Sequence, residues 1–116
     1  MHLTAVESHV WERLSTARKT LVGRRVVGRL VGRAMSRWPG VVLAQCDAAQ
    51  SEIVGNHMAT ALANHARREY GMGIIAMLVL GALVQELVKI LVQWWLDSRE
   101  GREAIAAAAL EARHHD

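Results

Sequence analysis

The sequence predicts an all-helical protein, built of short helices with one long hydrophobic helix in its C-terminal half. Three observations support this fold class. The 116 residues include one proline, one tyrosine and no phenylalanine, a composition that favours helix over strand. Apolar residues recur at intervals of three and four, as they do along one face of a helix. Residues 72–84 contain no polar side chain.

Length and charge divide the chain into three regions. At 116 residues the chain has the size of one domain. Residues 1–70 are predicted to form a basic amphipathic helical region, residues 71–96 a hydrophobic transmembrane helix, and residues 97–116 an alanine-rich, charged helical tail. The net charge is only +3, yet ten of the 14 basic residues precede residue 69. This asymmetry of charge, more than the total, is informative about partners.

The first helix is predicted from a capping box. Thr4 and Glu7 have the spacing at which the threonine hydroxyl accepts from the backbone N–H of Glu7 while the Glu7 side chain reaches back to residue 4. Val6, Val10 and Leu14 follow at intervals of four. These signals predict one helix from about Thr4 to about Thr20.

The stretch 21–38, LVGRRVVGRLVGRAMSRW, predicts a basic amphipathic helix. Four arginines lie on one side of a helical wheel. Six apolar side chains lie on the other side: Val27, Leu30, Val31, Ala34, Met35 and Trp38. Pro39 should end the helix at or before Trp38. Three glycines in the stretch each cost about 1 kcal/mol relative to alanine, so the helix needs a surface or a partner to order it.

Three kinds of partner fit this helix. On an anionic membrane, each basic residue near the surface contributes about 1 kcal/mol, and the apolar face lies in the interface. Packing within the protein or against a protein partner uses the same two faces. Nucleic acid would attract the same charges, although the sequence lacks zinc spacing and an RNP-like motif. The predicted membrane-surface or partner-binding residues are Arg25, Arg29, Arg33, Arg37 and Trp38.

A third helix is predicted over residues 41–68. Its mildly apolar face includes Leu43, Ile53 and Leu62, whereas Asp47 and Glu52 are among the polar positions that rule out a membrane span here.

Residues 72–95 predict a membrane span. Tyr70 and the pair Trp94 and Trp95 lie about 36 Å apart along a helix, close to the hydrocarbon thickness of about 30 Å. Aromatic residues at both ends are typical of interfacial belts, so these three are the predicted membrane-interface anchors. Aliphatic side chains would contribute about −4 to −7 kcal/mol, against a cost of about +5 to +7 for Glu86 and Lys89. Their spacing of three permits pairing, which favours insertion. The alternative is a buried helix of a soluble bundle.

One side of this hydrophobic helix is small and polar, which predicts self-association. The residues on this side are Gly81, Gln85, Glu86, Lys89 and Gln93. We expect a homo-oligomer in which they form the interface or line a pore. A pore would hydrate this side of the helix, whereas a scaffold or anchor would keep it dry and paired.

Residues 99–115 predict a short terminal helix, because the run AIAAAAL has high helix propensity and is flanked by acidic residues early and basic residues late. Ten basic residues precede the predicted span and three follow it, which favours an N-terminus in the cytoplasm.

The sequence contains no enzyme motif. A nucleophile elbow, a phosphate loop and a paired-carboxylate motif are all lacking, and Cys46 has no Cys or His in a catalytic spacing. His57 and His65 lie two helical turns apart, about 12 Å, too far to share one metal ion. We therefore expect no catalysis, metal or cofactor. The predicted function is that of a small membrane protein that self-associates as a scaffold, anchor or pore. The alternative is a soluble helical bundle that binds a protein or nucleic acid through its arginine-rich helix.

Overall fold

The computed structural model describes residues 2–70 and 74–115, and every regular element in these two ranges is a helix. The all-helical fold class is therefore confirmed for the described residues. Their seven helices are α1 (His2–Arg13), α2 (Thr16–Leu21), α3 (Arg24–Ser36), α4 (Gly40–Ala44), α5 (Ala48–Tyr70), α6 (Ile74–Asp97) and α7 (Arg99–His115).

The long hydrophobic helix, α6, is a core element of the bundle. It packs against α1, α3, α5 and α7. Four leucines of α6 are buried in this core: Leu80, Leu83, Leu87 and Leu91. The Cα radius of gyration is 13.3 Å, close to the value of about 13 Å for a compact domain of about 100 residues.

The prediction of one helix from Thr4 to Thr20 is wrong at its start and in its middle. α1 begins at His2, whose backbone N–H donates to Glu111 of α7 at 2.9 Å, so Thr4 lies within the helix and is not its cap. The chain then breaks at Ser15, the N-cap of α2. The Ser15 backbone N–H donates to the Glu86 carboxylate of α6 at 2.6 Å. Tertiary hydrogen bonds, which a local pattern does not show, set both helix ends.

The basic amphipathic helix is confirmed as α3, with both predicted faces. Its apolar side chains are buried against α1, α7 and α5, and the four arginines of the opposite side are exposed. The helix ends at Ser36, before Pro39, as predicted. Packing of the apolar face supplies the partner that its glycine content requires.

The third predicted helix is split in two by a capping box. Asp47 precedes α5, and its carboxylate accepts from the backbone N–H of Gln50 at 2.8 Å. In return the Gln50 side-chain oxygen accepts from the Asp47 backbone N–H at 3.0 Å. This reciprocal pair satisfies two N–H groups at the helix start, so a helix begins at Ala48 and α4 ends at Ala44.

The predicted apolar face of this third helix is confirmed in part. Leu43 and Leu62 are buried, whereas Ile53 is exposed. The buried side of α5 carries mostly small residues: Ser51, Gly55, Ala59, Leu62 and Ala66. A Cβ at Gly55 would lie 3.4 Å from a Val92 methyl of α6. Small side chains on α5 therefore let the valines of α6 approach closely.

The terminal helix is confirmed as α7, which follows α6 after the single residue Ser98. The Ser98 hydroxyl accepts from the backbone N–H of Gly101 at 3.0 Å and thus caps α7. A Cβ at Gly101 would overlap the Trp94 carbonyl oxygen, so only glycine permits this sharp corner. The corner folds α7 back against α1, α3 and α6.

Candidate functional site

The surface that most needs a functional explanation is the exposed side of α3. Arg25, Arg29, Arg33 and Arg37 are all exposed and follow one another at intervals of four. At 1.5 Å per residue, neighbouring arginines within α3 rise about 6 Å along the axis, and Arg37 directly follows the helix as its C-cap. We call these four residues the arginine row.

Basic residues near the row have intramolecular partners. Arg18 lies 3.3 Å from a Glu86 carboxylate oxygen, and Arg24 lies 3.4 Å from one of Glu7. The Lys19 ammonium lies 5.6 Å from the centre of the Trp11 ring, a cation–π distance. These contacts join α2 to α6, α3 to α1 and α2 to α1.

The arginine row has no such partners. Within the described residues, none of its four side chains makes a hydrogen bond or ion pair. Like charges four residues apart on a helix destabilise it by about 0.2–0.5 kcal/mol per pair. The row therefore contributes nothing to stability through pairing, and its charges remain available to an external anion.

Trp38 does not lie on this surface. It is 2% exposed, and its ring centre lies 5.8 Å from that of Trp95 at an angle of 60°. Its carbonyl oxygen accepts from an Arg113 guanidinium N–H at 3.0 Å. The tryptophan predicted to bind a membrane or partner is thus part of the core between α3, α6 and α7.

The predicted polar side of α6 is divided in the structure. Gln85, Lys89 and Gln93 are exposed and form one wall of a groove between α5 and α6, with a volume of about 730 Å³. The Gln93 amide donates to Asp97 at 2.8 Å. A Cβ at Gly81 would meet nothing within 4 Å, so this position is also open.

Glu86 does not belong to that wall. Its carboxylate accepts from the Ser15 backbone N–H and hydroxyl and lies beside Arg18. No ion pair joins it to Lys89 among the described residues. Glu86 therefore fixes the junction of α1 and α2 on α6.

The predicted interface anchors have different surroundings. Trp94 is half-buried and stacks on His9 of α1, with ring centres 3.5 Å apart and planes 7° from parallel. Burial lowers the pKa of His9 below its usual value of 6.5, and Arg13 lowers it further, against the opposing effect of Glu12 and Glu100. Trp95 is buried, and the Tyr70 side chain lies outside the described residues.

The predicted span has the required length and composition. In the part of the chain that the structure describes, Leu78–Asp97 of α6 is the one stretch long and apolar enough to cross a membrane. Inside the bundle, 44% of an 18-residue window of this stretch is buried.

Sequence reasoning missed an exposed apolar patch on α4 and α7. It consists of Val41 and Val42 on α4 and Leu110 on α7, which border a groove of about 530 Å³. The local signal was the run VVL directly after Pro39-Gly40, because a five-residue helix at a tight corner cannot bury all of its apolar side chains.

No group of three or more His, Cys, Asp or Glu side chains that could hold a metal ion occurs among the described residues. Comparisons with protein-family models, with curated proteins and with solved structures give no match to this chain.

Proposed function

We propose that this protein is an interaction module, a helical bundle that binds an acidic surface of a partner protein through the arginine row. The supporting observation is that four exposed arginines, three on α3 and the fourth at its C-cap, make no ion pair within the described residues. Each guanidinium carries five N–H donors in a planar fork that matches a carboxylate or a phosphate. An acidic partner also removes the mutual repulsion of the row.

Two features favour a protein over other polyanions. The apolar face of α3 is buried in the core, so α3 has no apolar side left to insert among lipids. The row also ends at Arg37, directly before the Trp38-Pro39-Gly40 corner that leads to the exposed patch of Val41 and Val42. Protein interfaces combine an apolar centre with a charged rim, whereas nucleic-acid interfaces are more polar and more strongly positive.

The test compares three defined anions: a synthetic peptide of eight glutamates, single-stranded DNA of the same charge, and phosphatidylserine vesicles. Fluorescence anisotropy measures binding of the first two, and flotation measures the third. Replacing Arg29→Glu together with Arg33→Glu should weaken binding of the glutamate peptide at least about tenfold, because opposed charges in contact become like charges.

The matched control replaces Arg67→Glu together with Arg68→Glu. Both are exposed arginines, on α5, and the change in net charge is identical. An equal loss in the control would mean that net charge, not the row, governs binding. Tighter binding of the DNA or the vesicles than of the peptide would also contradict the proposal.

The proposal takes the bundle as the working form of the protein. In a membrane span, Leu83 and Leu87 would face lipid, whereas here they pack in the core, and the exposed side of α6 carries Lys89. Insertion would thus remove α6 from four helices and place a charge in lipid. Carbonate extraction tests this: we expect a folded helical species in the supernatant, and retention with lipid at high pH would favour the span.

A further inference from the structure

The groove between α4 and α7 has an aromatic floor and apolar walls. The rings of Trp38 and Trp95 line it, and Val41 on one wall and Leu110 on the other are 77% and 59% exposed. Its volume of about 530 Å³ lies within the range of about 300–1,000 Å³ that is usual for binding clefts. Large apolar side chains that cluster in water around a cleft are typical of an interaction site.

The charge that lines this groove is positive. Arg113 is the one charged residue that lines it in the described part of the chain, and no acidic side chain does so. Arg37, the last residue of the arginine row, directly precedes Trp38 of the floor. The row and the groove therefore adjoin in the sequence, and Arg113 adds a positive charge to the groove.

We infer that the groove receives apolar side chains from the same acidic partner segment that lies along the arginine row. This inference rests on the proposed function. A second copy packed symmetrically, groove to groove, suits the site poorly, since it would bring Arg37 and Arg113 of both copies together. A segment with carboxylates and neighbouring leucines complements both the charge and the apolar walls. Such a segment gains affinity from burying its leucines and specificity from the row.

The experiment uses three synthetic peptides that each contain eight glutamates. The first adds Leu-Ala-Ala-Leu-Leu at the carboxyl end, the second adds it at the amino end, and the third has serine in place of each leucine. We expect one of the leucine peptides to bind the wild-type protein at least about tenfold more tightly than the serine peptide, because apolar burial adds to the electrostatic attraction.

The variant Leu110→Gln should reduce this ratio to near one while leaving the affinity for the serine peptide within about twofold. Its matched control is Ile53→Gln on α5: Ile53 is 58% exposed, nearly the same as the 59% of Leu110, and also lies within a helix. The control should keep the wild-type ratio. Val41→Thr, which preserves side-chain shape, provides a second variant that should also lower the ratio.

The outcomes separate this inference from the proposed function. Suppose that leucine and serine peptides bind the wild type equally, and that both lose affinity with Arg29→Glu and Arg33→Glu. Binding through the arginine row is then supported, and binding of leucines in the groove is contradicted. If the ratio of leucine-peptide to serine-peptide affinity is unchanged in both Leu110→Gln and Val41→Thr, the groove is also contradicted as the binding site for leucine. If no peptide responds to the arginine substitutions, the proposed function itself fails. Circular dichroism of each variant establishes that the helical fold is retained.

Discussion

The helices α3 and α6 differ in what they expose and agree in what they bury. From the sequence, α3 was expected on a membrane surface, against protein or on nucleic acid, and α6 across a membrane. In the structure the apolar sides of both meet the same core, where Leu30 of α3 and Leu87 of α6 are buried. The exposed side of α3 carries four arginines, whereas that of α6 carries Gln85, Lys89 and Gln93.

This comparison shows that apolar content and exposed charge indicate different properties of a helix: the first indicates that it must be covered, and the second indicates what it binds. The hydrophobicity of α6 identifies a helix that must be covered, and in this bundle four helices cover it. The hydrophobicity of α6 does not identify whether lipid or protein covers this helix. The row on α3 is informative because its charges are of one sign and without intramolecular partners, and such a surface favours an external anion.

The largest expected effect comes from shortening a core leucine in each helix. Leu87→Ala and Leu30→Ala should each lower the free energy of unfolding by about 3 kcal/mol, because each leaves a cavity in a closed core. Chemical denaturation followed by circular dichroism measures this. Leu78→Ala is the control on α6, since Leu78 is 70% exposed, and it should change the free energy by less than about 0.5 kcal/mol.

Leu87→Ala and Leu30→Ala together test whether α3 and α6 share one core. If α6 crossed a membrane with Leu87 in lipid, unfolding of the remaining helices in water would depend on Leu30 and hardly on Leu87. A loss confined to Leu30→Ala would therefore contradict a core that α3 and α6 share.

A smaller effect should distinguish the two charged residues of α6. Glu86→Gln weakens the contacts with Ser15 and Arg18 and should cost about 1–2 kcal/mol, because hydrogen bonds to a charged group are lost. Lys89→Gln should change the free energy of unfolding by less than about 0.5 kcal/mol, since Lys89 is exposed and makes no hydrogen bond or ion pair in the described residues. Equal losses would instead indicate the Glu86–Lys89 pair that the sequence suggested. Thermal and chemical denaturation of both variants provide the measurement.

Much of the helical pattern was predictable from local sequence. The faces of α3 and the presence of α7 follow from periodicity and propensity, which act within a helix. The breaks were predictable only in part. Asp47 and Gln50 form a capping box whose spacing is visible in the sequence, whereas the break at Ser15 depends on Glu86, which lies 71 residues away. Contacts over such separations leave no local pattern.

The candidate site was predictable for its charges and not for its apolar part. Regular spacing identified the arginine row, because exposure follows from lying opposite an apolar face. The position of Trp38 was wrong for a related reason: it shares the buried face of α3, and its place against Trp95 depends on how α7 folds back. The groove between Val41 of α4 and Leu110 of α7 lies between helices that are far apart in the chain. It could therefore be identified only from the tertiary structure.

The smallest expected effect concerns the stack of His9 on Trp94, which ties α1 to the side of α6 that the sequence assigned to a membrane interface. Because burial and Arg13 lower the pKa of His9, the folded state favours the neutral imidazole. The unfolded state, with a pKa near 6.5, binds the proton more readily. The contribution of His9 to stability is therefore fully present above about pH 6.5, and it is lost as the pH falls through the lowered pKa of the folded state.

His9→Phe keeps an aromatic ring on Trp94 and removes the titration, so its Tm should fall less than that of the wild type between about pH 7.5 and 5.5. His57→Gln alters an exposed histidine and should retain the wild-type pH dependence. Tryptophan fluorescence over the same range gives a second measurement, since protonation of the stacked imidazole changes the surroundings of the Trp94 ring. Identical pH profiles for wild type and His9→Phe would contradict a lowered pKa of His9 in the folded state.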